Sequence, residues 1–370
     1  MQKKKKILFF HFDLQGGGAE KVLINLISHL NKSKYDITLY TIFGVGANLT
    51  DIPKDVHFKC LFKRLFKGSN TIMKLLPPTL LYRMIIRKKY DVEIGYLETS
   101  PTRIISGSNN TKSKKYAWVH VEIDDIKKFL VGFKSKKEAI SCYNRFDSIF
   151  CVSKTVKQSF VQHFPEISVP INVLYNVNDY DKIFNLSKES ISINLDDKCF
   201  NICSVGRLTS QKRFDRLIRI SAVLKEQGYN FHVFILGEGG ERDMLVSLIK
   251  DNELNSYITL LGYDVNPYKY VSKMDLFICS SSKEGYSTAV SEAIALNIPV
   301  LTTDVSGMSE ILNDGEYGMI VNNDESSLLK GLKNIMDDRT LLSRYKNAIR
   351  QKVSPSTNSL VKEYENLLDL

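Results

Sequence analysis

Two runs of alternating short apolar segments and helix-length amphipathic segments, one in each half of the chain, constrain the fold more than any other feature. In the first half the strand candidates are residues 7–12, 37–43, 92–97, 116–121, 149–152 and 173–175. Residues 19–30 between them read as a helix, with Val22, Leu23, Leu26, Ile27 and Leu30 on one face. The second half offers strands at 201–205, 231–236, 258–261, 276–279, 299–302 and 319–321. Strands apolar throughout, separated by helices, predict parallel sheets covered on both faces. The expected class is therefore α/β, with two doubly wound Rossmann-like domains facing a cleft. A length of 370 residues, beyond what one core usually supports, agrees. The polar stretch 178–200 reads as the linker, and the halves share an architecture without sharing a sequence repeat.

Charge divides unequally between the halves. Residues 1–180 carry 29 Lys and Arg against 15 Asp and Glu, whereas residues 181–370 carry 22 against 26. The first half thus faces something anionic. Residues 59–89 hold nine basic residues and no acid, interleaved with Leu61, Phe62, Leu65, Phe66, Leu75, Leu76, Leu80, Leu81, Ile85 and Ile86. Such mixing fits an amphipathic surface lying on anionic lipid, and fits equally a solvated basic face over an ordinary core helix. No helix-turn-helix, zinc-finger or RNA-binding signature accompanies the charge, so a nucleic-acid partner is not expected. The Lys3–Lys6 run before Ile7 imitates a signal peptide, but its apolar segment is too short and lacks a cleavage site. No run of 18 apolar residues follows, and six scattered cysteines make no disulfide framework. The expectation is a cytoplasmic chain, on one reading peripheral to the membrane.

Ligands of doubly wound sheets bind at the carboxyl ends of the strands, so the residues there deserve the closest reading. After the first strand comes Gly16-Gly17-Gly18-Ala19-Glu20-Lys21, in which backbone N–H groups and a helix start can approach an anion. Neither the dinucleotide pattern nor a P-loop is matched, and a tight turn without a ligand is the plain alternative. After the strand at 201–205 stands Gly206-Arg207, with Lys212 five residues on. A guanidinium fork and an ammonium suit a diphosphate, and two solvated charges are the alternative. After the strand at 276–279 come Glu284, Gly285, Tyr286, Ser287 and Thr288, with Ser287 a helix N-cap and Glu292 on the helix. Carboxylates accept hydrogen bonds from vicinal hydroxyls while a helix start holds phosphate. A nucleotide sugar contains both groups.

In their order and spacing these marks, joined by Trp118-Val119-His120, Val152-Ser153-Lys154, Tyr175-Asn176-Val177, Leu236-Gly237-Glu238-Gly239 and Leu261-Gly262-Tyr263, make the chain resemble the retaining nucleotide-sugar glycosyltransferases of family 4. The resemblance spans nearly the whole length and is strongest in the second half. It implies the GT-B fold, with an acceptor-side domain at 1–180 and a nucleotide-sugar domain at 181–354. The terminal helix, about 355–370, would pack back on the first domain. It further implies that Arg207 and Lys212 neutralise the donor diphosphate, that Glu292 binds ribose hydroxyls and that Glu284 orients the transferred sugar, with Gly206 beside them. The backbone of Gly285, Tyr286, Ser287 and Thr288 assists, Gly16, Gly17 and Gly18 approach the donor, and Gly262 and Tyr263 lie near the base. His120 matches a histidine that faces the sugar, a satisfied core histidine being the alternative.

The implied reaction keeps anomeric configuration, needs no metal or other cofactor, and moves a sugar from a nucleoside diphosphate, with a UDP-sugar the expected donor. The acceptor is a hydroxyl of a glycan or lipid-linked molecule in cell-envelope polysaccharide or lipopolysaccharide synthesis. Asp179-Tyr180-Asp181 imitates a metal-binding D-x-D but falls in the linker, where no metal is expected. Two rival readings stay in view: a non-catalytic glycosyltransferase-like binding subunit, and a sugar-nucleotide epimerase of the same fold.

Overall fold

The computed structural model describes residues 3–15, 17–196 and 198–370. The chain divides into two compact units, 1–178 with 358–370 and 179–357. Each is built on one parallel sheet.

The first sheet has seven strands, β1 (Lys5–His11), β2 (Tyr35–Phe43), β3 (His57–Phe62), β4 (Val92–Gly95), β5 (Lys114–Val119), β6 (Ser148–Cys151) and β7 (Ile171–Val173), in the order β3-β2-β1-β4-β5-β6-β7. The order reverses between β1 and β4, where Phe10 pairs with Tyr40 on one side and Gly95 on the other. The second sheet has six, β8 (Phe200–Val205), β9 (Phe231–Leu236), β10 (Ile258–Gly262), β11 (Leu276–Cys279), β12 (Val300–Thr303) and β13 (Gly318–Val321), in the order β10-β9-β8-β11-β12-β13. Its reversal falls between β8 and β11, with Ile202 opposite Leu276.

Why these strands read as unbroken apolar runs is visible in the second unit. Successive residues serve two different cores. Ile202, Ile235 and Ile278 pack on one face of the sheet, and Cys203, Phe234 and Phe277 on the other. With both faces covered, period-2 alternation has no place.

Two expectations need correcting. Strand β3 lies in a stretch read only as basic and amphipathic. It is an edge strand whose side chains are all exposed or half-buried, so it carries no apolar run. The supposed linker contains a helix, Tyr180–Ser187. Its N-cap is Asp179, whose side chain accepts from the Lys182 N–H at 3.0 Å. That acid caps the start of a helix, as Asp commonly does.

Helix Thr357–Asp369 lies in sequence after the second unit, yet most of it counts with the first. Tyr364 stacks on the fully buried Trp118 of β5 with ring centroids 5.8 Å apart, and donates to the Tyr175 carbonyl at 3.0 Å.

Candidate active site at the reversal of the second sheet

The loops after β8 and β11 start side by side because the sheet order reverses there. Cross-loop hydrogen bonds hold them together. The Ser282 N–H donates to the Gln211 carbonyl at 2.8 Å, the Ser280 hydroxyl to the Lys212 carbonyl at 2.9 Å, and the Gln211 amide to the Lys283 carbonyl at 2.9 Å. Neutral hydrogen bonds to backbone carbonyls of this kind fix loop position without spending the charged side chains.

Those side chains converge. Lys212 Nζ lies 2.6 Å from Glu284 Oε1, and the same oxygen accepts from the Ser281 hydroxyl at 2.6 Å. The two charged side chains are 21% and 9% exposed, so water screens the pair weakly. Burial is the largest single influence and works to discharge the Lys212 ammonium, but the charge and hydrogen bond of Glu284, together with Cys279, outweigh it and the lysine is held above its ordinary pKa. Lys212 is therefore a permanent cation at neutral pH. Arg207 is exposed and makes no ion pair among the described residues. Its positive charge acts on Lys212 as a neighbour. Gly206 lies against the Lys212 chain: a Cβ there would stand 3.2 Å from Lys212 Cε.

Beyond Glu284 the chain turns through Gly285 and Tyr286 into helix Thr288–Ala295, capped by Ser287, whose hydroxyl accepts from the Val290 N–H at 3.4 Å. The first N–H groups of any helix lack an intrahelical carbonyl. The turn is held by Gly307. With φ +79° it occupies a left-handed conformation, and a Cβ there would stand 2.7 Å from the Gly285 carbonyl oxygen. Glu292 is 5% exposed and accepts from the Tyr268 hydroxyl at 3.3 Å. Gly262 ends β10 in the left-handed region, φ +75°, and Tyr263 after it is exposed.

The second unit thus gathers Gly206, Arg207, Lys212, Glu284, Gly285, Tyr286, Ser287, Thr288 and Glu292 around one sheet reversal, with Gly262 and Tyr263 at the end of β10. His120, Gly17 and Gly18 belong to the first unit. Gly17 is the N-cap of helix Gly18–His29, which follows β1; Gly16 lies outside the described residues. His120 follows β5 and is 8% exposed. Burial, and then the neighbouring His11, hold its imidazole down to about 3, against a weaker opposing pull from the Tyr96 backbone. The ring is neutral at any working pH.

Sequence reasoning gave no role to Ser281 and Tyr268, which hold the two carboxylates, or to His11. Ser281 sits in a serine run whose polarity at a strand end was a usable signal. Tyr268 carried none, because its partner lies 24 residues away.

A pair of doubly wound parallel sheets, the second carrying a cationic and carboxylate-lined reversal point, is the architecture of the GT-B fold. Comparison with known proteins gives the family. The model for glycosyl transferases group 1 matches residues 187–352. The chain is 32% identical over 367 residues, 94% of each chain, to the Campylobacter jejuni N-acetylgalactosamine-N,N'-diacetylbacillosaminyl-diphospho-undecaprenol 4-alpha-N-acetylgalactosaminyltransferase. It is 22% identical, over 92% of its own length and 91% of the other, to the lipopolysaccharide core biosynthesis glycosyltransferase LpsE of Rhizobium meliloti. In fold it is similar to Anabaena HepE crystallised with UDP and glucose, at a TM-score of 0.76, 19% identity and 99% of both chains. The chain belongs to the group 1 glycosyltransferases, family 4, which are retaining, metal-independent GT-B enzymes.

Proposed function

We propose that this glycosyltransferase takes a sugar from a UDP-sugar and adds it to a hydroxyl of an undecaprenyl diphosphate-linked or similar envelope glycan, working against an anionic membrane surface. The observation that carries the donor half is the Lys212–Glu284 pair at the reversal of the second sheet. A diphosphate needs fixed positive charge, and Lys212 keeps its proton there. Arg207 adds a fork that makes no ion pair with a carboxylate among the described residues. Glu292 accepts from the ribose hydroxyls, and Glu284 orients the transferred sugar, helped by the backbone from Gly285 to Thr288. The family resemblance makes His120, Gly17 and Gly18 sugar-facing residues. The UDP in the HepE crystals supports the choice of base.

The chemistry follows from the charges. Glu284 Oε1 is engaged by Lys212 and Ser281, which makes it a poor nucleophile. We therefore assign a front-face displacement: the glycosidic C–O bond to phosphate breaks, the acceptor oxygen enters on the same face, and the leaving diphosphate takes the acceptor proton. Arg207 and Lys212 stabilise the charge that develops on the diphosphate.

The Campylobacter relative acts, by its name, on an undecaprenyl diphosphate-linked glycan, which supports the acceptor class. Support for the membrane comes from the chain itself. Phe58, Phe62, Leu65, Phe66, Ile72, Leu75, Leu80 and Met84 are exposed, and Leu75 is 74% exposed. They share 58–89 with nine basic residues and no acid. Leu81, Tyr82 and Ile85 on the same helix, Pro78–Ile85, are buried, so they anchor the helix while its outer face offers apolar side chains. No helix among the described residues is long and apolar enough to cross a membrane. Surface docking fits these residues better than a solvated basic face, which has no use for so many exposed apolar groups.

The test is a transfer assay with UDP-glucose, UDP-galactose and their N-acetylamino forms against an undecaprenyl diphosphate-linked amino sugar, with the product's anomeric proton read by NMR. An axial anomeric linkage from an axial donor supports the reading. Donor epimerisation without acceptor, or binding without turnover of any donor, refutes it in favour of an epimerase or a binding subunit.

A further inference from the structure

At the carboxyl end of the first sheet, β1 ends in His11 and β5 leads into His120. Between these strands runs β4, followed by Tyr96, whose N–H donates to the Phe10 carbonyl at 2.9 Å. The Tyr96 ring neighbours both imidazoles, with centroids 6.3 Å from His11 and 4.9 Å from His120. His11 is 1% exposed. Its Nδ1 lies 2.7 Å from the carbonyl oxygen of Asp13. A carbonyl only accepts, so Nδ1 carries a proton, and in the tautomer this bond selects Nε2 is the acceptor. Among the described residues nothing donates to that nitrogen, and nothing donates to Nε2 of His120.

Buried acceptors without donors are rare, because each costs about 1–3 kcal/mol. Two on the strand ends that flank β4, at the end of the sheet where ligands of this architecture bind, point to a ligand that brings its own protons. A carboxylate and the ionised diphosphate of a nucleotide sugar have none to give. Sugar hydroxyls do, and a neutral nitrogen accepts from them without adding charge.

We propose that His11 is a second sugar-hydroxyl acceptor beside His120, with its Nε2 aimed by the backbone bond from Nδ1 to Asp13. This rests on the reading of His120 as a sugar contact. The hydroxyl belongs to the transferred sugar or to the acceptor glycan, and the chemistry is the same for both.

Two substitutions separate the parts of the ring. His11→Asn keeps an N–H near the position of Nδ1 but has no atom at Nε2. His11→Gln places an amide oxygen close to the position of Nε2. Each variant is measured in two arms: affinity for UDP and for the UDP-sugar that the wild type turns over fastest, and the KM of the lipid-linked acceptor. If the hydroxyl is the donor's, His11→Asn weakens UDP-sugar binding about tenfold and leaves UDP binding unchanged. If it is the acceptor's, the acceptor KM rises about tenfold while donor affinity holds. In both cases His11→Gln recovers most of the loss. Wild-type behaviour of His11→Asn in both arms overturns the proposal. So does an equal loss in both variants together with a lowered Tm, which marks a purely structural histidine. A wild type that binds neither UDP nor any UDP-sugar refutes instead the donor reading of the second unit, a distinct result.

Discussion

Lys212 and Glu284 offer a perturbation in which stability and activity part company. At 2.6 Å, and with an effective dielectric near 20, their gross attraction is about 6 kcal/mol, much of it offset by the desolvation of two charges. Removing one partner leaves the other buried and unpaired. For Lys212→Met the cost is about 3 kcal/mol, the lower end for buried pairs because the lysine keeps some contact with water. For a unit of this size the Tm falls by about 6–12 °C. The double variant Lys212→Met/Glu284→Gln leaves no bare charge and regains most of that stability. Turnover behaves differently: the diphosphate has lost its cation, so kcat stays down at least about 100-fold in both variants. The assay pairs differential scanning calorimetry with initial rates of UDP-sugar transfer. A double variant that regains turnover along with its Tm refutes the assignment of Lys212 to the leaving group. An unchanged Tm in the single variant refutes the buried-pair reasoning.

The remaining predictions concern other parts of the molecule. Gly307→Ala forces a side chain into a left-handed turn and against the Gly285 carbonyl; it lowers stability by about 1–2 kcal/mol and raises the donor KM, as calorimetry and kinetics will register. His120, held near 3 in the folded state, leaves only the unfolded chain to take up a proton below pH 6.5. Stability therefore declines as pH falls from 6.5, by about 2 kcal/mol from this residue at pH 5, and His120→Gln flattens that part of the urea-unfolding profile. Leu75→Asp replaces an exposed apolar tip by a charge and reduces flotation with phosphatidylserine vesicles by about tenfold or more, with transfer to a water-soluble acceptor unchanged.

Much of this architecture was legible because both sheets are covered on both faces. Ile202-Cys203, Phe234-Ile235 and Phe277-Ile278 must all be apolar when each neighbour serves a different core, and such runs are hard to mistake. Legibility failed where that cover stops. Strand β3 is an edge with half-wet side chains, and its basic residues read as surface. Helix Tyr180–Ser187 buries only Ile183 fully, so its polar start passed for a linker although Asp179 was a capping signal. In the site, Arg207, Lys212, Glu284 and Glu292 stood out because strand ends could be placed. What orders them did not. The closure of Lys212 on a carboxylate 72 residues away arises only when β8 and β11 lie side by side, the bond from Tyr268 to Glu292 only when the helices flanking β11 meet, and the bond from Ser281 to Glu284 only when the loop after β11 folds back on itself. The exposed apolar residues of 58–84 mixed in sequence with buried ones such as Met73 and Leu81, and only the fold separates the two sets.

Everything proposed for the donor rests on one diphosphate meeting Arg207 and Lys212 in the second unit. Isothermal titration of UDP into the wild type, Arg207→Ala and Lys212→Ala tests that directly. The wild type is expected to bind UDP, with Kd raised about tenfold or more in each variant and the drop steeper at low salt. Equal UDP affinity in all three proteins contradicts it.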